Sequence, residues 1–146
     1  MTDGDRRPSI LIVEDDLAFA DQLKWGLAGT YRVRRAADRA QALAMLRRNP
    51  PDLLLTDLCL PPTNTADEGL SLLREAKAAH PGLVAVVMSG LEEREPAVRA
   101  IGEGAYDFFT KPFDLETLRL VVGRALERRE LERENQRLRQ TLRGTH

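Results

Sequence analysis

The sequence predicts an α/β domain in which a five-stranded parallel sheet is covered by helices on both faces. Three observations carry that expectation. Short apolar runs alternate five times with segments of helical periodicity. The runs are apolar almost throughout, as in strands buried on both faces, rather than alternating as in a strand with one wet face. Most of them also end abruptly in a polar or charged residue, and the carboxyl ends of such strands are where an open parallel sheet binds ligands.

The first run, Ser-Ile-Leu-Ile-Val at residues 9–13, stops at Glu14-Asp15-Asp16. Leu17, Ala20, Leu23 and Leu27 then recur at helical spacing, Trp25 is expected to pack on that helix, and Gly29 closes it. Residues 31–36 form a short strand. Asp38 suits the N-cap of a helix through Ala42, Leu43 and Leu46 that ends at Asn49-Pro50-Pro51. Leu53, Leu54 and Leu55 begin a third strand, which ends in Asp57. A loop over 59–67 precedes a helix carrying Leu70, Leu73 and Ala76 that stops before Pro81-Gly82. Residues 83–88 are the fourth strand, ended by Ser89-Gly90, and 92–103 a helix with Pro96 near its start. Residues 105–110 make the fifth strand, followed by Lys111-Pro112 and a long helix from about Asp114. The expected architecture is a flavodoxin-like (βα)5 three-layer sandwich with strand order 2-1-3-4-5.

Composition narrows the function classes. In 146 residues with 42% hydrophobic and 31% charged side chains, one packed domain with an extension is expected. A net charge of −1 gives no bulk attraction to nucleic acid or an anionic membrane. The apolar runs are far too short to span a bilayer, and the polar N-terminus has no export signal. Cys59 is the only cysteine, which excludes an intrachain disulfide framework and a thiolate zinc site. The cytoplasm is the expected compartment.

The fold would bring Glu14 and Asp15 from the first strand, Asp57 from the third, Ser89 from the fourth and Lys111 from the fifth to one edge. Carboxylates held that close push one another toward protonation. A hard divalent cation removes the repulsion, and an all-oxygen site suits Mg2+, with Mn2+ as the second choice. Lys111 adds positive charge on the other side. Between a metal and an ammonium, the Asp57 carboxylate could attack phosphorus to give an aspartyl phosphate.

The Ile-Leu-Ile-Val-Glu-Asp-Asp opening, Asp57 followed by Pro61, Ser89-Gly90, and Phe108-Phe109-Thr110-Lys111-Pro112-Phe113 resemble the receiver domains of bacterial two-component response regulators. The resemblance covers residues 9–125. It implies Asp57 as phosphoacceptor, with Asp15, Asp57 and the Cys59 backbone carbonyl as metal ligands and Glu14 acting through a water. It implies that Ser89 bonds the phosphoryl group, that Lys111 pairs with it, that Phe108 is the switch aromatic, and that the Lys111-Pro112 bond is cis. The implied donor is a phosphohistidine on a sensor histidine kinase. Two departures stand out. Gly69 comes several residues later than the family's glycine, making 62–67 an insertion beside the site. Gly90 stands where many members of that family carry alanine or a bulkier residue, which should leave the phosphoryl group open to attack.

Beyond a disordered 1–8 and a receiver over 9–125, residues 126–146 are expected to form a helical linker. Leu131, Asn135, Leu138 and Leu142 follow an a/d seam with Asn135 at a, the signature of a parallel homodimeric coiled coil. The tail resembles the signalling helix of regulators with a central ATPase. No effector domain follows before His146, so the expected alternatives are a fragment of a transcription regulator or a stand-alone switch. Acids interleave the tail arginines, which argues against direct nucleic-acid binding. Asp15-Asp16 could equally be a helix N-cap, and His80, next to Pro81, reads as surface. A hydrolase with an aspartate nucleophile would need an acid where Cys59 stands. A pure dimerisation module would have no use for the intact acid, serine and lysine set.

Overall fold

The computed structural model describes residues 5–144. Five strands, β1 (Ser9–Val13), β2 (Arg32–Ala36), β3 (Leu53–Asp57), β4 (Val84–Ser89) and β5 (Asp107–Thr110), pair in parallel in the order 2-1-3-4-5. They alternate with α1 (Leu17–Leu27), α2 (Arg39–Arg48), α3 (Ala66–Ala79), α4 (Arg94–Gly102) and α5 (Leu115–Gly144). The expected fold class and strand order are those observed.

Every residue of β1, β3 and β4 is buried, which is why these strands read as unbroken apolar runs. Their side chains divide between two half-cores with a period of two. Leu11, Val13, Leu54, Ala85 and Val87 meet α2, α3 and α4; Ile10, Ile12, Leu53, Leu55, Val86 and Met88 meet α1 and α5. Three helices begin behind a capping aspartate: Asp16 accepts from the Phe19 N–H at 3.2 Å, Asp38 from the Gln41 N–H at 2.8 Å and Asp114 from the Thr117 N–H at 2.7 Å.

Several local readings need correction. Leu17 continues the apolar spacing of α1, yet as the first residue of that helix it is 57% exposed. Trp25 does not pack on the helix either; it is 81% exposed and borders an open groove between α1 and the start of α5. The C-cap of α1 is Ala28 rather than Gly29. The fourth helix is preceded by a separate 3-10 turn, Leu91–Glu93. The 62–67 insertion is shorter as a loop than expected, since Ala66 and Asp67 already belong to α3.

Residues 1–4, half of the segment expected to be disordered, lie outside the described residues. Arg7 and Pro8 of that segment are hydrogen-bonded to the domain: the Arg7 guanidinium donates to Ala28 O at 2.8 Å, and the Arg32 amide donates to Pro8 O at 2.9 Å. At the other end, Leu118, Val122 and Ala125 of α5 are buried on the sheet, and the helix continues without a break. Arg129 ties it to the base of the sheet through Asp52, 3.1 Å away. Past that point Leu131 and Leu138 are 68% and 56% exposed.

Candidate phosphoryl-accepting site

The strand ends bring Glu14, Asp15, Asp57 and Lys111 together. One carboxylate oxygen from each of the three acids lies within 4.8 Å of the other two. Lys111 Nζ donates to Glu14 Oε1 at 2.8 Å and to Asp57 Oδ2 at 3.0 Å. Glu14 is 1% exposed and Asp57 7%, so the site is reached from the side of the exposed Asp15.

Burial raises the proton affinity of Asp57 above the ordinary carboxylate range, against the opposing pull of Lys111. Glu14 is raised for the same first reason, with the charge on Asp57 adding to it. Lys111 is desolvated too, but its bonds to the two acids outweigh that and raise its affinity, so it stays an ammonium. Two buried carboxylates and one exposed one against a single ammonium leave an excess of negative charge. This all-oxygen, under-neutralised donor set fits a hard divalent cation.

The neighbouring elements hold these groups in place. Arg35, at the end of β2, donates to the backbone carbonyls of Glu14 at 3.1 Å and Asp15 at 3.2 Å, fixing the acidic turn. Phe19 presents its ring to Lys111 Nζ, 4.5 Å from the centroid, and Phe113 stacks on Phe109 behind it. The Lys111-Pro112 peptide is cis, as expected, and Pro61-Pro62 is cis as well. Gly69 sits in the first turn of α3 with its N–H on Leu58 O at 2.8 Å. A Cβ there would lie 2.5 Å from Leu58 Cα and O and 2.8 Å from Asp57 O, so this position must be glycine for α3 to seat against the end of β3.

Ser89 is buried beside the cluster, but its hydroxyl donates to Phe109 O at 3.3 Å, bridging β4 to β5. Phe108 lies on the opposite face of β5, half-buried against the α2–α4 half-core. Cys59 adjoins the site. Burial first, and then its bond to the Glu93 carboxylate, push its thiol up to about 12. Asp16 caps α1 whereas Asp15 joins the acid cluster, so the N-cap and metal-site readings of that pair are divided between its two residues. The sequence reading missed Arg35, Phe19 and Glu93, since each acts through a partner distant in sequence. Only the Gly90-to-Glu93 spacing, that of a helix-start cap, offered a local signal.

A family model for the response regulator receiver domain matches residues 10–123. The nitrogen assimilation regulatory protein NtrX of Azorhizobium caulinodans is 38% identical over 132 residues, 90% of this chain and 29% of that protein. The DNA-binding transcriptional regulator NtrC of Bradyrhizobium sp. is 36% identical over 119 residues, 81% of this chain and 24% of that protein. The chain therefore spans less than a third of these relatives. Among solved structures, the receiver domain of NtrX from Brucella abortus superposes with a TM-score of 0.75 at 40% identity, covering 81% of this chain and 98% of that one. A longer NtrX from the same organism, in complex with ADP, gives 0.82 at 39% identity, covering 91% and 29%.

Proposed function

The chain belongs to the response regulator receiver domain family, and on that premise we propose that Asp57 accepts a phosphoryl group from a phosphohistidine of a sensor histidine kinase. The observation that carries the proposal is the Lys111 ammonium shared between Asp57 and Glu14, 3.0 and 2.8 Å away, beside Asp15. An Asp57 oxygen attacks phosphorus, the bond from phosphorus to the imidazole nitrogen breaks, and that nitrogen keeps the electron pair. Lys111 is placed to neutralise the transferred oxygens. Asp15, Asp57 and the Cys59 carbonyl are the residues that would hold Mg2+ or Mn2+, with Glu14 acting through a water. The ion would supply further neutralisation of phosphoryl charge. The domain turns over no separate substrate; it phosphorylates and dephosphorylates itself.

Phosphorylation adds about −1.5 to −2 charge and new acceptor oxygens. Ser89 then exchanges Phe109 O for a phosphoryl oxygen, which loosens the link between β4 and β5 and frees Phe108 to repack. Among the described residues, no helix is long and apolar enough to cross a membrane, in keeping with action in the cytoplasm where a kinase would supply the phosphoryl group. The output is transcriptional, through an effector joined to this domain, as the relatives' names suggest. This chain does not itself contact DNA, since tail arginines such as Arg128 and Arg137 are paired with Glu132 and Glu134.

Incubation of the full chain with acetyl phosphate and Mg2+ tests the acceptor role. One phosphoryl group should add, and a chelator should prevent it; uptake indifferent to Mg2+, or none, would sink the proposal. The exposed Leu131 and Leu138, with Asn135 between them, support a parallel homodimer through α5. Sedimentation of Leu138→Glu should then show monomer where the unaltered chain is a dimer. An unaltered chain that stays monomeric at every concentration would exclude the seam.

A further inference from the structure

The segment after Ser89 carries a contact that the acceptor chemistry above does not use. Gly90 leaves β4 in an extended conformation and enters the Leu91–Glu93 turn, where the Glu93 N–H returns to Gly90 O at 3.1 Å. The Glu93 side chain folds back as well. Its Oε1 accepts the Gly90 N–H, and its Oε2 accepts the Cys59 thiol from the loop after β3. The first bond alone would be an ordinary helix-start cap. The second is of another kind, because it stretches one carboxylate across two loops that leave adjacent strands, beside the strand end where Asp57 stands.

We propose that the Glu93 carboxylate is a built-in anion that occupies the Gly90 N–H in the unphosphorylated protein and is displaced by the phosphoryl group, so that it restrains phosphorylation of Asp57 and couples it to the start of α4. This inference rests on the reading of Asp57 as acceptor. Asp57 lies opposite Met88 in the register of β3 and β4, so a group built on its carboxylate extends toward Ser89 and Gly90. A phosphoryl oxygen and a carboxylate are both anionic acceptors competing for the same kind of backbone donor. The two cannot share one N–H, and the negative charge of Glu93 near the acceptor opposes the arrival of an anionic phosphodonor.

Gly90 makes the arrangement fit, since a Cβ there would stand 3.2 Å from Glu93 Oε1. When the phosphoryl group takes the Gly90 N–H, Glu93 loses its anchor on β4, and the turn that starts α4 is released. Leu91 in that turn is 78% exposed, so nothing in the core opposes its movement.

The test uses the full chain with acetyl phosphate and Mg2+, following modification by intact mass for the unaltered protein, Glu93→Gln and Glu93→Ala. Both variants should be phosphorylated faster, by about fivefold for loss of one like charge at a partly solvated site, with Ala at least as fast as Gln. The amide resonance of Gly90 should show weaker protection from exchange in Glu93→Ala than in the unaltered chain, and a purely structural cap would move the melting temperature without moving the rate. Equal or slower rates in the variants, with the unaltered chain modified at Asp57, overturn the role of Glu93 and leave the acceptor reading standing. No modification of the unaltered chain overturns both.

Discussion

Asp57→Asn is expected to abolish phosphoryl uptake and, in magnesium-free buffer near neutral pH, to raise the melting temperature of the domain. The loss of uptake follows from the chemistry, because a neutral carboxamide is a poor nucleophile toward phosphorus. The gain in stability follows from burial. Asp57 is desolvated, and its proton affinity in the fold lies above the ordinary carboxyl value of 3.8. Over the interval between that value and the raised one, the folded chain binds more protons than the unfolded chain, so stability falls as pH rises through it. Above the interval the charged carboxylate is a net burden in the fold, which asparagine removes. A gain of about 1 kcal/mol is the ordinary scale for a single substitution, or about 2–4 °C in a domain of this size. The difference between variant and unaltered chain should shrink as pH is lowered through the same interval, and thermal melts at several pH values would measure it. A variant less stable at neutral pH than the unaltered chain would mean that Lys111 more than compensates the buried charge.

Gly69→Ala is expected to cost more than any other single methyl group added near the site. Helix propensity favours alanine by about 1 kcal/mol, but the added Cβ would stand 2.5 Å from backbone atoms of Leu58, which cannot rotate away. The first turn of α3 must lift from the end of β3, and the Leu58-Cys59 backbone moves with it. Overpacking of this kind costs about 3 kcal/mol, and a melting temperature lower by about 10 °C is the corresponding shift. Because the Cys59 carbonyl and Asp57 follow that backbone, Mg2+-dependent phosphorylation by acetyl phosphate should slow by about a hundredfold, the usual consequence of a displacement near 1 Å at a reacting group. Gly29→Ala is the control, since a Cβ there meets nothing within 4 Å. Equal stability of the Gly69 and Gly29 variants would contradict the close approach.

These two positions show what could be read in the sequence and what could not. Residues 9–13 and 53–57 were legible as strands because burial on both faces leaves an unbroken apolar signature, and their acidic ends followed directly. Asp15, Asp57 and Lys111 were legible as one site because a parallel sheet has only one carboxyl edge. Strand order was not, since apolar runs carry no information about which strand pairs with which; the expected order came from the doubly wound fold class. Leu17 and Trp25 misled because helical spacing tells which residues share a face but not which of them the rest of the fold covers. Gly69 looked like a displaced family glycine, although its spatial task, close approach to Leu58, is met from inside α3. Arg35, Phe19 and Glu93 escaped notice because their contacts join strand ends and loops far apart in the chain, and no local pattern distinguishes an arginine that braces a carbonyl from one that faces water.

Treatment of the phosphorylated chain with borohydride, followed by peptide mapping, tests the central claim most directly, because reduction of an aspartyl phosphate marks the residue that carried it. The label is predicted at position 57 alone, and only in preparations that contained Mg2+. A label at Glu14 or Asp15, a phosphate that survives on Ser89, or labelling that ignores the metal would contradict the account.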